Sequence, residues 1–246
     1  MAPGAPSGLR ALGSEFRALT HYVAPMPEAV DQYGTFARFY DRVMEPLNAP
    51  LGRLALRMHP VGEGDTVLDV GCGTGVHLES YAEAGAACHG VDLSPAMLAV
   101  ARDRLSDSVQ LSVGSATELP HDDNTFDVVL ASLLIHELTE ADRRHTLASM
   151  FRVVKPEGVV VVIDYRSGPL RFKGRLWRTL TSVIERIAGR EHFREWSTFL
   201  RNGGLAPCLP EDATVVSERV LSGGNLSITI LSSPAGTADS DDTTGS

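Results

Sequence analysis

Three glycines alternate with other residues in Gly71-Cys72-Gly73-Thr74-Gly75, directly after an apolar run that ends at Val70. The apolar run predicts a buried strand, and glycines at every second position predict a tight turn with positive φ values. Side chains in such a turn would block a ligand that lies against the bare main chain. Since the residues from Val76 are compatible with a helix, this stretch predicts a strand, turn and helix that bind a polar small molecule. An ordinary tight turn is the alternative interpretation.

Two aspartates belong to the strands next to this turn. Asp69 lies in the first strand, and Asp92 follows the apolar stretch Ala86 to Val91, so it lies at the end of the next strand. Nucleotide-binding folds hold ribose hydroxyls at this place. We therefore expect both carboxylate oxygens of Asp92 to bind a ribose, each charged hydrogen bond contributing about 1.5–3 kcal/mol. A helix-capping role is disfavoured because Ser94 and Pro95 already provide a cap and a first-turn proline.

Further segments narrow the class of ligand. The turn has the spacing Asp-x-Gly-x-Gly-x-Gly, and it is followed by Asp92-Leu93-Ser94-Pro95-Ala96-Met97-Leu98, Gly114-Ser115-Ala116-Thr117-Glu118-Leu119-Pro120, Phe126-Asp127-Val128-Val129 and Val154-Lys155-Pro156-Glu157-Gly158. Together these segments resemble the class I S-adenosylmethionine-dependent methyltransferases, most closely the group with ubiquinone/menaquinone C-methyltransferases and small phospholipid N-methyltransferases. The resemblance covers about residues 36–165. It is specific for the cofactor and says little about the acceptor.

The resemblance implies S-adenosylmethionine as the cofactor and assigns residues to it. The implied contacts are Asp69, Gly71, Cys72, Gly73, Gly75, Asp92, Leu93, Met97, Ser115, Ala116 and Ala131. Asp69 is expected to hydrogen-bond within the loop and to reach the cofactor's amino group through water, and Met97 to lie near the adenine. Ser115 stands where such families often carry an acid, but its hydroxyl and the main chain of Ala116 can still bind the base.

The same resemblance, together with the alternation of strand and helix patterns, predicts an α/β fold. We expect a doubly wound, Rossmann-like sheet of seven strands with the last strand antiparallel. The predicted organisation is a disordered arm over 1–27, a methyltransferase domain over 28–232 and a disordered tail over 233–246. Within the domain we expect a helical cap over 28–60, with a new helix after Pro46, and an inserted helical lid over 166–204.

Composition excludes several other classes of protein. A net charge of −9 and a pI near 5.3 disfavour a general nucleic-acid binder, which needs clustered cations. Three cysteines fit neither a disulfide framework nor a metal site, and a cytoplasmic location is expected. His121-Asp122-Asp123-Asn124 is interpreted as a solvated loop, so no metal is predicted. No apolar run approaches the roughly 18 residues of a membrane span.

His136 is the candidate general base. It follows the predicted strand Phe126 to Ala131, on the rim that faces the transferred methyl group. A neutral imidazole could deprotonate a phenol or an enolic carbon. A histidine that binds loop main chain or pairs with Glu137 is the alternative.

Tyr40 is a second candidate residue, and here the resemblance supplies the role. The family pattern Phe-Ala-x-x-Tyr-Asp, which lies across the cofactor, is matched by Phe36, Ala37, Tyr40 and Asp41. We therefore expect Tyr40 to contact the cofactor or the acceptor.

The stretch from Arg166 to Arg201 is basic, whereas the chain as a whole is acidic. It contains nine basic and three acidic side chains, and its apolar residues keep helical spacing. Such a helix can be a lid whose apolar side covers the site, or it can also contact an anionic membrane through residues 171–190. Peripheral contact would be at the inner membrane face.

These features favour methyl transfer to a small, amphipathic or lipid-like acceptor, either at carbon or oxygen of a quinone-type ring or at an amine nitrogen. A noncatalytic S-adenosylmethionine-binding protein is the alternative. A short-chain dehydrogenase is disfavoured because no tyrosine is followed four residues later by lysine. We expect no nucleic-acid partner, and the oligomeric state is left open.

Overall fold

In the computed structural model, the described residues are 37–232, without the side chains of residues 37–47 and 187–188. The predicted arm over 1–27, the first residues of the cap and the tail over 233–246 lie outside the described residues.

One seven-stranded sheet forms the centre of the described fold. Its strands are β1 (Thr66–Val70), β2 (Ala87–Asp92), β3 (Gln110–Val113), β4 (Phe126–Ser132), β5 (Val154–Tyr165), β6 (Thr214–Leu221) and β7 (Leu226–Ser232). They lie in the order β3-β2-β1-β4-β5-β7-β6. The first five strands are parallel, and β7 is antiparallel to both β5 and β6. The predicted fold class is therefore confirmed.

Helices cover both faces of this sheet. They are α1 (Ala37–Met58), α2 (Val76–Glu83), α3 (Pro95–Arg104), α4 (Glu140–Val153), α5 (Phe172–Ala188) and α6 (Arg190–Arg201), with short 3-10 turns at Ile135–Glu137, Ala206–Cys208 and Ser222–Gly224. Buried side chains of α1, α2 and α3 pack on one face, and those of α4 and α6 pack on the other. Among the described residues, no helix is long and apolar enough to cross a bilayer.

The cap differs from the prediction of a new helix after Pro46. Helix α1 runs through both Pro46 and Pro50 without interruption. A proline inside a helix removes one main-chain donor and costs about 3 kcal/mol, but packing outside the helix can offset this. Here α1 lies directly against α2, since a Cβ at Gly52 would lie 2.5 Å from Nδ1 of His77.

Strand β5 begins at Val154, before the start at Gly158 that the sequence predicts. Val154 already pairs with Phe126, and the register shifts before Val128. This irregularity lets the strand continue through Pro156, which lacks a donor for the ladder. Gly158 permits the close approach of the chains, because a Cβ there would lie 2.7 Å from the carbonyl oxygen of Asp127.

A buried arginine fixes the loop after β4. Arg143 of α4 is 1% exposed, and its Nε donates to the carbonyl of Ile135 at 3.1 Å. Its Nη2 donates to the carbonyls of His136, at 3.3 Å, and Glu195, at 2.8 Å. One guanidinium thus holds the 3-10 turn against α4 and α6.

We expect Arg143→Met to lower the free energy of unfolding by about 3–5 kcal/mol, because it breaks a buried charged network and leaves carbonyl groups unpaired. Denaturant titration measures this change. Arg144→Met is the matched control, since Arg144 is exposed and pairs with Glu140 at 3.0 Å. Its loss should stay below about 1 kcal/mol. Equal losses in the two variants would contradict the role given to Arg143.

Candidate active site

The glycine turn has the predicted conformation. Gly71, Gly73 and Gly75 have φ values of 69°, 51° and 75°. The N–H groups of Gly71 and Cys72 donate to the carbonyl of Val91 at 2.8 and 3.1 Å, so the turn is tied to the end of β2. A Cβ at Gly73 would meet no described atom within 4 Å. That side of the turn is open space that a ligand can fill.

Asp92 connects this turn to α3. Its two oxygens accept hydrogen bonds of 2.8 Å, one from the N–H of Gly73 and the other from the N–H of Ser94. Burial raises the pKa of Asp92, and these main-chain donors oppose the rise. Sequence reasoning missed this structural role. Each oxygen keeps a second lone pair, so the ribose contact stays a prediction.

Asp69 corrects one expectation. It was expected to hydrogen-bond within the loop, but it is 1% exposed and neither carboxylate oxygen has a hydrogen-bond partner. The reason is that Val91 and Asp92 already engage the N–H groups of the turn. Burial, together with the charge of Asp92, raises the pKa of Asp69 well above its usual value. A buried carboxylate without partners favours a cationic ligand.

Other predicted cofactor residues also lie around the carboxyl ends of the strands. Leu93 is exposed at the rim, whereas Met97 and Cys72 are buried. The N–H of Met97 donates to the hydroxyl of Ser94 at 3.2 Å, which confirms the predicted helix cap.

Ser115 and Ala116 follow β3, and Ala131 belongs to β4. The hydroxyls of Ser115 and Thr117 share a hydrogen bond of 2.7 Å. Ala116 packs against the core, and Ala131 is buried between Val70 and Val162 of the neighbouring strands. Their cofactor contacts stay predictions, and so does that of Tyr40, whose side chain lies outside the described residues.

His136 lies in the 3-10 turn after β4 and is fully enclosed. Its Nδ1 lies 2.7 Å from Oδ1 of Asp164, and its main-chain N–H donates to Oδ2 of the same residue at 3.1 Å. Tyr165 packs its ring on the imidazole with centroids 4.6 Å apart. The predicted base is therefore held by a carboxylate at the end of β5.

The charge of His136 differs from the expectation of a neutral ring. Burial lowers its pKa, but Asp164, Glu137 and Glu185 outweigh this effect and raise the pKa to about 9. Below that pH the imidazolium is the main form. A base role would need the minor, neutral form at pH 7.

Two further carboxylates face this ring, one from α5 and one from the same 3-10 turn. Oε1 of Glu185, on α5, lies 3.7 Å from Nε2 of His136, and Oε1 of Glu137 lies 4.0 Å from it. The hydroxyl of Tyr165 donates to Glu185 at 3.4 Å. We call His136, Glu137, Asp164, Tyr165 and Glu185 the acid–imidazole cluster. Sequence reasoning missed Glu185, whose only signal was an acid within an otherwise basic helix.

The orientation of α5 overturns the expectation that an apolar side covers the site. Its buried or half-buried positions, among the residues whose side chains are described, are Gly174, Arg178, Thr181, Ser182 and Glu185. The large apolar side chains described for this helix are exposed instead: Phe172, Leu176, Trp177, Leu180, Val183 and Ile184. The polar face turns inward because Asn225 engages both Arg178 and Thr181.

No group of three or more His, Cys, Asp or Glu side chains in the described part of the chain is arranged to hold a metal ion. The described cysteines, Cys72, Cys88 and Cys208, are buried and free.

Comparison with known proteins agrees with this geometry. A family model described as a methyltransferase domain matches residues 67–158. The chain is 34% identical over 162 residues to a demethylmenaquinone methyltransferase of Tropheryma whipplei, covering 63% of this chain and 66% of that protein. It is 32% identical over 132 residues to a malonyl-[acyl-carrier protein] O-methyltransferase of Serratia marcescens, covering 54% and 51%. The match thus spans about half to two thirds of the length of these relatives.

Solved structures share the fold. The complex between the Haloferax volcanii Trm112 methyltransferase activator and a putative methyltransferase matches with a TM-score of 0.62 and 22% identity, over 83% of this chain and 96% of that one. A putative S-adenosyl-L-methionine-dependent methyltransferase from Methanococcus maripaludis matches with a TM-score of 0.58 and 17% identity, over 85% and 97%.

We expect Asp69→Asn to stabilise the ligand-free protein increasingly as the pH rises. The raised pKa means that folded Asp69 holds a proton that the unfolded chain has lost, so the wild type loses stability above the usual aspartate range. The difference from the variant should grow by up to about 1.4 kcal/mol per pH unit. Urea titrations from pH 5 to pH 8 measure it, with the exposed Asp107→Asn as control. A constant difference would refute the assignment.

Proposed function

Because the chain belongs to the class I S-adenosylmethionine-dependent methyltransferases, with S-adenosylmethionine as its cofactor, we propose that it methylates a small, amphipathic acceptor at a carbon, oxygen or nitrogen atom. The observation that carries this proposal is the acid–imidazole cluster at the carboxyl ends of β4 and β5. It provides ionisable groups where the loop after β4 meets the helical lid.

Several features of the site fit the cofactor. Unpartnered Asp69 suits its ammonium group, and the open side of Gly73 suits close approach by its main body. The N-terminus of α2 suits the methionine carboxylate, because its first N–H groups point outward. Asp92 is the proposed ribose ligand through its remaining lone pairs. The bound cofactor supplies a methyl group that is already activated by a sulfonium.

The protein's own part in the reaction is orientation and exclusion of water. Methyl transfer is an in-line displacement, so holding the nucleophile close to the methyl carbon removes much of the barrier. The lid helices α5 and α6 enclose His136 and thereby keep water from it. His136 is the proposed contact for the polar group of the acceptor. Tyr40 is a proposed contact from the cap.

The charges of the cluster support one class of acceptor. The two relatives named above act, by their names, on demethylmenaquinone and on a malonyl group. Three carboxylates surround one imidazole in the cluster, so an anionic acceptor would be repelled. A quinol hydroxyl or an amine fits better, because one of these carboxylates can accept its proton.

The outer face of α5 supports contact with an anionic membrane at its cytoplasmic side. Phe172 and Leu176 are 85% and 68% exposed, and Leu180 and Ile184 continue the stripe at intervals of four residues. Exposed cations accompany them, namely Arg171, Lys173, Arg175, Arg186 and Arg190. Apolar side chains flanked by cations are typical of helices that lie in an anionic lipid surface. An acceptor carried in lipid would then be close to the lid.

The function is tested by methyl transfer from labelled S-adenosylmethionine to a short-chain demethylmenaquinol and to an amphipathic amine. We expect label in one of these products.

Asp92→Ala should weaken cofactor binding about 10- to 100-fold in calorimetry, since a charged contact contributes about 1.5–3 kcal/mol. Asp107→Ala is the exposed control. Unchanged affinity in a folded Asp92 variant would remove Asp92 from the cofactor site.

We expect sedimentation with vesicles of anionic phospholipid at low salt, and little with neutral vesicles. Phe172→Ser with Leu176→Ser should abolish it, and Arg175→Glu should weaken it, because both apolar area and charge contribute. Val215→Ser with Val216→Ser is the control, since these exposed valines lie on β6. Absence of binding to anionic vesicles would leave α5 as a lid only.

A further inference from the structure

We propose that Glu185 receives the proton of the acceptor, while His136, held by Asp164, donates a hydrogen bond to the same acceptor atom. This inference rests on the proposed function. It assigns the proton transfer and the hydrogen bond to the acceptor atom to particular side chains. Glu185 is then a catalytic residue that the lid brings to the site, and His136 is the group that stabilises negative charge on the acceptor.

The placement of Glu185 is the first support. It is the one acidic residue of α5, and it is 7% exposed on the inward face of a helix whose other charged side chains are basic. Oε1 lies 3.7 Å from Nε2 of His136. That separation is longer than a hydrogen bond, and a polar atom placed beside both groups can bond to each.

The other carboxylates are less suited to this role. Asp164 already accepts from Nδ1 and the main-chain N–H of His136 and from the N–H of Tyr165, at 2.7, 3.1 and 2.6 Å. The side chain of Glu137 is 33% exposed and lies farther from Nε2, at 4.0 Å. Of Glu137 and Glu185, Glu185 is the more deeply buried. The hydroxyl of Tyr165 donates to its carboxylate and holds it in place.

The electrostatics agree with the geometry. Burial raises the pKa of Glu185, whereas His136, His192 and the Tyr165 hydroxyl oppose the rise and Asp164 adds to it. A carboxylate with a raised pKa is a stronger base than an exposed one. His136, with a pKa of about 9, is already protonated at neutral pH. The charged groups that face Glu185 come from the 3-10 turn, β5 and α6: His136, Glu137, Asp164, Tyr165 and His192.

The resulting step is balanced. The O–H or N–H bond of the acceptor breaks and its proton moves to the carboxylate of Glu185. At oxygen or nitrogen, the electron pair left on that atom forms the new bond to the methyl carbon. At a ring carbon of a quinol, the pair moves from oxygen into the ring and the ring carbon forms this bond. The proton on that carbon then leaves to solvent, which restores the aromatic ring. The bond between that carbon and sulfur breaks, and its electron pair stays on sulfur, which loses its positive charge. Glu185 then releases the proton to solvent.

The first test is single-turnover transfer to a short-chain demethylmenaquinol under anaerobic conditions across pH 5–10. The wild type should give a bell-shaped profile that rises as Glu185 ionises and falls above about pH 9 as His136 loses its proton. Glu185→Gln should lower the rate by about 10²–10⁴ and remove the acidic limb, with cofactor affinity retained. Glu185→Asp should restore part of the rate.

Glu191→Gln, an exposed acid of α6, is the control and should keep the wild-type profile. A wild-type rate that keeps rising through pH 9 would overturn the proposal, because it would make neutral His136 the base. Wild-type activity in Glu185→Gln would overturn it as well.

A second test needs no acceptor. Titration of ¹⁵N-labelled histidine by NMR should give a lower pKa for His136 in Glu185→Gln than in the wild type, since a nearby negative charge is lost. An unchanged pKa would remove Glu185 from the cluster. If this shift is seen but the wild type methylates neither the quinol nor the amine, the proposed function fails while the contact stands.

Discussion

The proposed acceptor site depends on one carboxylate, Asp164, which binds both the ring and the main chain of His136. This double contact fixes the turn and the orientation of the imidazole together. Arg143 takes the carbonyl groups of the same turn, so its polar groups are satisfied from both sides. Removing charges from water is costly, and a buried pair persists when its remaining donors and acceptors are engaged. Tyr165 and Glu185 pack beside this fixed ring, with the hydroxyl of Tyr165 donating to Glu185 at 3.4 Å.

At the proposed cofactor site, one aspartate has hydrogen-bond partners and the other has none. Asp92 is satisfied by main-chain donors and holds the glycine turn in shape before any ligand is bound. Asp69 is left without partners in the same small region. Burial makes ionisation of this carboxyl group costly in the ligand-free fold, and a cationic group that enters the site offsets that cost. Part of the binding energy of such a group is therefore used to ionise Asp69.

The sequence predicted what depends on local pattern. The glycine turn, the end of β2 at Asp92 and the cap at Ser94 follow from spacing and side-chain type, and the structure confirms them. Features that depend on tertiary packing were not predicted. Only tertiary contact lets α1 continue through Pro46, and only the competition for N–H groups leaves Asp69 unpaired. Glu185 joins the site through topology, which brings together residues that are far apart in the chain.

The start of α5 is closely pinned to the sheet. A side chain at Gly174 would collide with the main chain of Gly223, and the N–H of Arg171 donates to the carbonyl of the same glycine at 2.9 Å. The other end of the helix meets α6 at Gly189, whose φ of 148° suits a residue without a side chain. The first turns of the helix are thus fixed to the connection between β6 and β7. A different helix direction at this point would displace Glu185, near the other end of the helix, farther than any residue beside Gly174.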